Sequence, residues 1–251
     1  MSPVAVGCIV LACVFGGALV GMAIHTILPE HHLNADSKDV IKLGMGLIAT
    51  MSALVLALLT SSAKGSYDTQ RNELTQVAAN VILLDRLLAH YGPETKEARD
   101  LLKLSAEGMV DRLWPNDSVQ TAKSRPTTTS GELFFDKIQE LTPQNDVQRT
   151  LQNQAVSLSI GIGQARILLF EQGGRSIPMP FLVLLIFWVT VIFLSFGLFA
   201  PRNATVVATL FLCALSVSGA IFLIMELDRP FGGVIQISSA PLRSAVDSID
   251  K

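Results

Sequence analysis

Four long apolar stretches alternate with polar segments along the 251 residues of the chain. Each is close to the roughly 20 apolar residues that a helix needs to cross the hydrocarbon core of a bilayer. They cover residues 3–28, about 41–60, 180–200 and 204–225. The pattern predicts four transmembrane helices in two hairpins, since only a short connection separates the members of each pair.

The first stretch also has to be weighed as a cleaved signal peptide. No Lys or Arg precedes its apolar part, and that part is longer than the roughly 7–15 residues of a signal-peptide core. We therefore interpret residues 3–28 as a helix that stays in the protein.

The polar segment between the hairpins is helical in character. Its apolar residues recur at three-to-four spacing, the period of a half-buried helix. The predicted helices are about 74–91, 93–114, 132–141 and about 144–172, with Gly92-Pro93 and Gly173-Gly174 as breaks and 115–131 as a loop. At the first break Gly92 suits a left-handed helix end, and Pro93 suits the first turn of the next helix.

Only Gly65 interrupts the helical pattern between the second span and Tyr91. We therefore expect one continuous helix from about Gly44 to Tyr91, with a kink at Gly65 as the alternative. At 1.5 Å per residue such a helix extends roughly 70 Å.

These elements predict an all-α membrane protein: four transmembrane helices, with a helical cytoplasmic bundle inserted between spans 2 and 3. The predicted divisions are a transmembrane hairpin, the bundle, a second hairpin and a C-terminal docking tail, at residues 1–63, 64–177, 178–227 and 228–251. Lys and Arg near the span ends are more numerous on the side of the insert. The positive-inside rule then favours a cytoplasmic insert, and four spans place both termini on the same side.

Composition agrees with a membrane protein and excludes several function classes. Half of the residues are apolar and 16% are charged, whereas a soluble domain usually carries about 25% charged residues. The net charge of -2 indicates no nucleic-acid binder. All three cysteines, Cys8, Cys13 and Cys213, lie in apolar stretches, so we expect neither a disulfide framework nor a cysteine-rich zinc site. No nucleotide, nucleophile or zinc-protease motif occurs, so we expect no enzyme and no cofactor.

One face of the second span consists of small and hydroxyl-bearing residues and ends in a lysine. This small-residue stripe has spacings of 4, 3, 4, 3 and 4 and comprises Gly46, Thr50, Ala53, Ala57, Thr60 and Lys64. Two interpretations stay open. The stripe lets another helix approach closely, as small residues do in membranes. Alternatively, copies of the stripe surround an axis and line a narrow, mostly apolar pore, with Lys64 as a positive ring that attracts anions.

The fourth span ends in the sequence MELDRPFGG, which we interpret as a gating or docking motif. The residues of this tail motif are Glu226, Asp228, Arg229, Pro230, Phe231 and Gly232. Acidic residues in the last turn of a helix oppose the helix dipole unless they are paired, and Arg229 is close by. Pro230 ends the helix, and the two glycines that follow Phe231 permit a sharp turn.

The chain beyond the motif is predicted to form a short docking helix. Ser239 can cap this helix, and Pro241 suits its first turn. The residues expected to face inward are Leu242, Ala245, Val246 and Ile249.

The remaining polar residues form weaker patterns. Three histidines lie within eight residues, close to three acidic residues: His25, His31 and His32, with Glu30, Asp36 and Asp39. A metal site needs converging ligands that hydrogen bonds to neighbouring groups hold in place, so we interpret this short loop as solvated and pH-sensitive, with metal binding as the alternative. Asp85-Arg86 and Asp111-Arg112 are interpreted as links between neighbouring helices.

Two segments carry a family resemblance, ELDRPFGGVIQISSAPLRSAV at 226–246 and DRLLAHYGPE at 85–94. With the two-plus-two span layout, they resemble a family of bacterial membrane proteins described as bestrophin-like. Bestrophins are pentameric anion channels whose second span lines a hydrophobic neck and whose long helices continue into a cytosolic vestibule. The resemblance implies a homo-oligomer, with five copies expected, that lies in the lipid bilayer of the bacterial inner membrane and conducts ions such as chloride.

The sequence also departs from the bestrophin pattern. Acidic residues precede the Pro-Phe-Gly stretch at 230–232, no acidic calcium-binding run follows it, and the second span contains no phenylalanine. Calcium gating and an aromatic gate are therefore not implied.

We expect an oligomeric, anion-conducting channel with the second span lining the pore. The alternative is a non-conducting membrane scaffold or sensor whose cytoplasmic bundle binds a partner. A secondary transporter fits less well, because transporters usually carry charges or broken helices near the middle of the membrane. Within the predicted spans of this chain, charged residues lie only near the ends.

Overall fold

The fold is that of a computed structural model, which describes residues 2–27, 35–115, 127–171 and 177–249. Within these ranges the chain is all-α. Its helices are α1 (Pro3–Ile27), α2 (Ala35–Tyr91), α3 (Lys96–Leu113), α4 (Thr127–Gln139), α5 (Asp146–Glu171), α6 (Met179–Phe199), α7 (Ala204–Leu227) and α8 (Ala240–Ser248), with a 3-10 turn at Pro93–Thr95. The predicted all-α class is confirmed.

Four of these helices, α1, α2, α6 and α7, are long and apolar enough to cross a membrane. They coincide with the four predicted spans to within a few residues, except that the span of α2 is part of a much longer helix. Helix α6 ends just before Pro201, which cannot continue a helix. Asn203 caps α7: its Oδ1 accepts a hydrogen bond of 2.8 Å from the Val206 backbone N–H.

Helix α2 runs unbroken through Gly65 over 57 residues, which corresponds to about 86 Å along its axis. The expected continuity to Tyr91 is confirmed. The helix ends at Gly92, whose φ of 143° lies in a region that essentially only glycine adopts. Its ψ of 177° makes this an extended conformation rather than a left-handed helical one. The predicted left-handed helix end was therefore wrong, although the position does require glycine.

The predicted loop at 115–131 is too long at its C-terminal end, because α4 already begins at Thr127. The run of Thr and Ser has little helix propensity of its own. Tertiary packing overrides it: Ser130 is buried, and one and two turns further Phe134 and Ile138 enter the core. Residues 116–126 of that loop lie outside the described residues, as do the predicted break at Gly173-Gly174 and the loop with Glu30, His31 and His32.

The chain forms two compact units. The first comprises residues 1–66 and 175–228, and the second comprises residues 67–174 and 229–251. The first unit contains the apolar spans, and α2 contributes to both units because its residues lie on either side of position 66.

In the first unit α1 packs very closely on α6. A Cβ atom added to Gly21 would overlap with the Leu194 carbonyl oxygen, and one added to Gly197 would overlap with the Ala18 carbonyl oxygen. Between α1 and α7 the Ser218 hydroxyl donates a buried hydrogen bond of 2.7 Å to the Gly7 carbonyl. Because glycines lie at the contact between α1 and α6, the two backbones approach closely, as is usual for small residues in membrane proteins.

The second unit has a core like that of a soluble helical protein. The second half of α2 buries Leu74, Val77, Val81, Leu84 and Leu88. These side chains share one core with residues of α3, α4, α5 and α8. The three-to-four spacing of the α2 residues thus predicted the buried face correctly.

Candidate functional site

The small-residue stripe of α2 faces away from its own unit. Every one of its six residues is exposed: Gly46, Thr50, Ala53, Ala57, Thr60 and Lys64. No atom lies within 4 Å of the position that a Cβ on Gly46 would take. The stripe is therefore open along its whole length in a single chain.

The packed side of this span is narrow. The buried residues of this span are Ser52, Leu59 and Ala63. Of the 18 most apolar consecutive residues of α2, only 11% are buried, against 39% for the corresponding part of α1 and 33% for that of α6. Leucines beside the stripe are exposed as well, with Leu47 at 65% and Leu54 at 67%. Most of this span is thus left for lipid or for other molecules to cover.

The hydroxyl groups of the stripe turn back onto their own helix. Thr50 Oγ1 donates to the Gly46 carbonyl at 2.9 Å, and Thr60 Oγ1 donates to the Leu56 carbonyl at 2.8 Å. Their donors are therefore satisfied without a partner helix or water. What the stripe presents outward is mainly methyl groups and backbone, until Lys64 adds a positive charge at its end.

A groove lies between the start of α2 and the end of α6, with a volume of about 530 Å³. Its lining includes Gly46 of the stripe, Met45 and Phe196, and almost all of it is apolar. Lys42 is the charged residue at this groove, and its Nζ atom is 3.3 Å from Asp39 Oδ1. The face of α2 that carries Gly46 thus adjoins a concave apolar surface.

The tail motif begins with two buried carboxylates. Glu226 and Asp228 are 2% and 7% exposed, although α7 ends at Leu227 beside them. Both take part in hydrogen-bonding or electrostatic interactions, as buried carboxylates require. Their depth of burial was not expected from the sequence, which predicted only a paired helix end.

The rest of the motif forms a turn that docks within the second unit. The Gly232 N–H donates to the Arg229 carbonyl at 3.1 Å, and the Ile237 N–H donates to the Pro230 carbonyl at 2.6 Å. Gly233, with φ of 100°, is the glycine that this turn requires. The predicted sharp turn is therefore present.

Trp114, at the end of α3, is the residue on which the tail docks. Phe231 packs against the Trp114 ring edge-to-face, with 5.4 Å between the ring centroids. The Trp114 indole N–H donates a buried hydrogen bond of 2.8 Å to the Ile237 carbonyl. Trp114 was not among the predicted site residues, and the only signal in the sequence was a tryptophan at a predicted helix end.

The docking helix α8 agrees with its prediction in all but one detail. Its inward residues are buried as expected: Leu242, Ala245, Val246 and Ile249. Ser239 is the N-cap residue, but its side chain makes no capping hydrogen bond. The Ser239 hydroxyl instead accepts a hydrogen bond of 3.1 Å from Arg243 Nε, and the Ser238 hydroxyl accepts one from the Ala240 N–H.

Two of the charged residues predicted to link helices do so. Arg99 of α3 holds Asp85 of α2 through two hydrogen bonds of 2.6 and 3.1 Å. Arg112 of α3 lies over the Phe170 ring of α5, 5.9 Å from its centroid. Among the described residues no group of three or more His, Cys, Asp or Glu side chains is placed to hold a metal ion.

Comparisons with known proteins agree with this architecture. A family model, the Bestrophin-like domain, matches residues 12–242. No curated protein matches the sequence. Several solved structures of bacterial bestrophin homologues from Klebsiella pneumoniae have a similar fold.

A tryptophan-to-alanine variant of that homologue has a TM-score of 0.72 at 14% identity, covering 99% of this chain and 97% of the other. An isoleucine-to-threonine variant has a TM-score of 0.68 at 15% identity, covering 96% of both chains. At these identities the likeness concerns the fold alone. The family model, however, matches almost the whole sequence, and the chain belongs to the bestrophin-like family.

Proposed function

We propose that the chain is one subunit of an ion channel in which the small-residue stripe of several copies lines the pore. The observation that carries this proposal is the exposure of all six stripe residues in a single chain. A face of small residues that no helix of its own unit covers is available to an axis formed by other copies. Membership in the bestrophin-like family supports the same conclusion.

The proposed pore is narrow and mostly apolar, since the threonine hydroxyls are bonded to their own helix. An ion would cross such a segment with little stabilisation from the wall, so charges near its ends would decide which ions enter. Lys64 supplies a positive charge in each copy, which favours anions, with chloride as the expected ion. The insert and both termini are proposed to be cytoplasmic, in a bacterial inner membrane, and the pentamer is the proposed assembly.

Cysteine labelling in liposomes tests this proposal. Cys8, Cys13 and Cys213 are first replaced by alanine, because all three are exposed. Ala57→Cys is expected to react with a charged, water-soluble thiol reagent and to lose most of its chloride flux, since the reagent would block the pore. The matched control is Leu54→Cys, an exposed residue beside the stripe, which should keep its flux. Equal behaviour of the two variants would contradict a pore along the stripe.

The selectivity proposal has its own test. Lys64→Glu replaces the proposed positive ring by a negative one, so the chloride-to-potassium permeability ratio should fall by about tenfold. Liposome flux under defined gradients measures this ratio. Flux that is absent from the parent protein under every condition would contradict conduction itself.

The second candidate function is a non-conducting scaffold or sensor. The observation in its favour is the same apolar stripe, because small residues with internally bonded hydroxyls also suit tight contact between helices of two copies. In that case Ala53→Cys would form disulfide-linked dimers in the membrane, and Ala57→Cys would not react with the charged reagent.

A further inference from the structure

The second unit contains a small polar cavity where α2 ends. Its volume is about 230 Å³, and it is lined by Tyr91, Glu94, Glu140, Leu141, Thr142 and Gln144. The walls thus come from the last residue of α2, the 3-10 turn that follows it, and the link between α4 and α5. Two of the six lining residues are carboxylates, and none of the six carries a positive charge.

Tyr91 gives this cavity a buried polar atom. The residue is 5% exposed, and its phenol oxygen is buried without a hydrogen-bond partner among the described atoms. Buried polar side-chain atoms in native proteins nearly always have a partner. The phenol can donate one hydrogen bond and accept another, so at this position it can bond to water or to a polar group of a ligand.

Gln144 at the cavity wall donates its hydrogen bonds within the chain. The Gln144 N–H donates to Gln148 Oε1 at 2.7 Å, and Gln144 Nε2 donates to the Thr142 carbonyl at 3.1 Å. Gln148 Nε2 in turn donates to the Tyr91 carbonyl at 3.0 Å. These bonds tie the α4–α5 link to the end of α2 and fix the wall on which Tyr91 lies.

The two carboxylates add acceptors and negative charge. Glu94 folds back over the end of α2, since a Cβ atom added to Gly92 would overlap with Glu94 Oε2. Glu140 accepts a hydrogen bond of 3.0 Å from Lys137 Nζ, which raises the pKa of Lys137. Lys137 also lies 3.5 Å from Glu97, so one lysine is shared by two acidic residues. The charge of Glu140 is thus partly balanced by Lys137, and Glu94 contributes the second carboxylate of the lining.

We propose that this cavity binds a small organic cation that carries a guanidinium or primary ammonium group. The carboxylate of Glu94 would balance its charge, and its N–H groups would donate to the phenol oxygen of Tyr91 and to the Glu140 carboxylate beside Lys137. Leu141 offers an apolar surface for a short aliphatic stem. An anion is disfavoured by the two carboxylates, and a bare metal ion by the neutral phenol, which is a weak ligand.

The proposal is tested by calorimetric titration of the full chain in detergent with butylguanidinium. Butylurea has nearly the same shape without the charge and serves as the ligand control. We expect butylguanidinium to bind and butylurea to bind at least about tenfold more weakly. Equal binding of the two, or no binding at about 10 mM, would overturn the proposal.

Three variants locate the binding. Glu94→Gln and Tyr91→Phe should each weaken binding by about tenfold, because one removes a charge and the other an acceptor. Tyr91→Phe keeps the buried ring, so the variant is expected to fold. The control is Glu97→Gln, which changes an exposed carboxylate near Lys137 that does not line the cavity, and it should change the affinity by less than about twofold.

Two further outcomes would also overturn the proposal. Unchanged binding in both Glu94→Gln and Tyr91→Phe would place the cation elsewhere. Binding of calcium or magnesium that depends on Glu94 and Glu140 and displaces butylguanidinium would make the ligand an inorganic ion. Because binding is measured without ion flux, the result is independent of whether the protein conducts.

Discussion

Two faces of small residues in the same unit differ in what covers them. On α1, Gly17 and Gly21 meet the backbone of α6 so closely that no side chain fits between the helices. On α2, the small-residue stripe has the same kind of spacing, yet Gly46 has nothing within 4 Å of its missing side chain. The first face is packed against another helix of the chain, whereas the face at Gly46 is open.

The hydroxyl groups show the same difference. Ser218 of α7 donates across the helix interface to the Gly7 carbonyl of α1. Thr50 and Thr60 of α2 donate only to carbonyls of their own helix. Small-residue spacing alone therefore does not distinguish a packing face from a free one. The distinction depends on whether the chain itself supplies a partner.

The largest expected effect concerns the glycines. Gly21→Ala places a methyl group on the Leu194 carbonyl of α6, so the free energy of unfolding should fall by about 3 kcal/mol, the upper end of the cost of overpacking. Gly46→Ala meets no atom and should gain about 0.5–1 kcal/mol, because alanine is the better helix former. Denaturant unfolding in detergent, followed by the combined fluorescence of Trp188 in α6 and Trp114, measures both. A similar loss in both variants would mean that the stripe is already packed.

A smaller effect is expected from apolar truncation on α1. Val14 is fully buried and Val20 is 51% exposed on the same helix. Lipid is as apolar as the protein interior, so Val14→Ala loses packing rather than burial from water, and we expect a cost of about 1–2 kcal/mol. Val20→Ala should cost less than about 0.5 kcal/mol. The same unfolding measurement compares them, and equal costs would contradict the packed face on α1.

The smallest effect separates the two kinds of hydroxyl. Ser218→Ala removes the hydrogen bond between α7 and α1 and should cost about 0.6–1 kcal/mol. Ser216 donates to the Leu212 carbonyl of its own helix at 3.0 Å, as the threonines of the stripe do, and Ser216→Ala should be neutral to within about 0.5 kcal/mol. Thermal unfolding of the two variants side by side provides the measurement. A larger loss in Ser216→Ala would refute the distinction.

Helix positions could be predicted from the sequence because local signals determine them. Apolar length locates the spans, and Pro201 and Gly92 mark ends through backbone chemistry that does not depend on the rest of the fold. The start of α4 at Thr127 was missed for the opposite reason. Its threonines have no local preference for helix, and the burial of Phe134 and Ile138 draws the segment into the core.

The candidate site was less accessible to sequence reasoning. The stripe could be recognised by spacing, but its exposure could not, because the same spacing on α1 would have indicated a tight contact. The docking of Phe231 on Trp114 joins residues more than a hundred positions apart. No local pattern carries such a pairing. The burial of Glu226 and Asp228 was missed likewise, since charge at a helix end normally indicates solvent.

The continuity of α2 restricts how this protein can change in length. The stripe ends at Lys64 and the apolar core residues of the second half of the same helix begin at Leu74, with no loop between them. A single inserted residue in that interval would rotate one face by about 100° against the other and shift it by about 1.5 Å. Insertions of about 7 or 11 residues would nearly restore the rotational phase. Natural variation in the length of this interval should therefore occur in such steps.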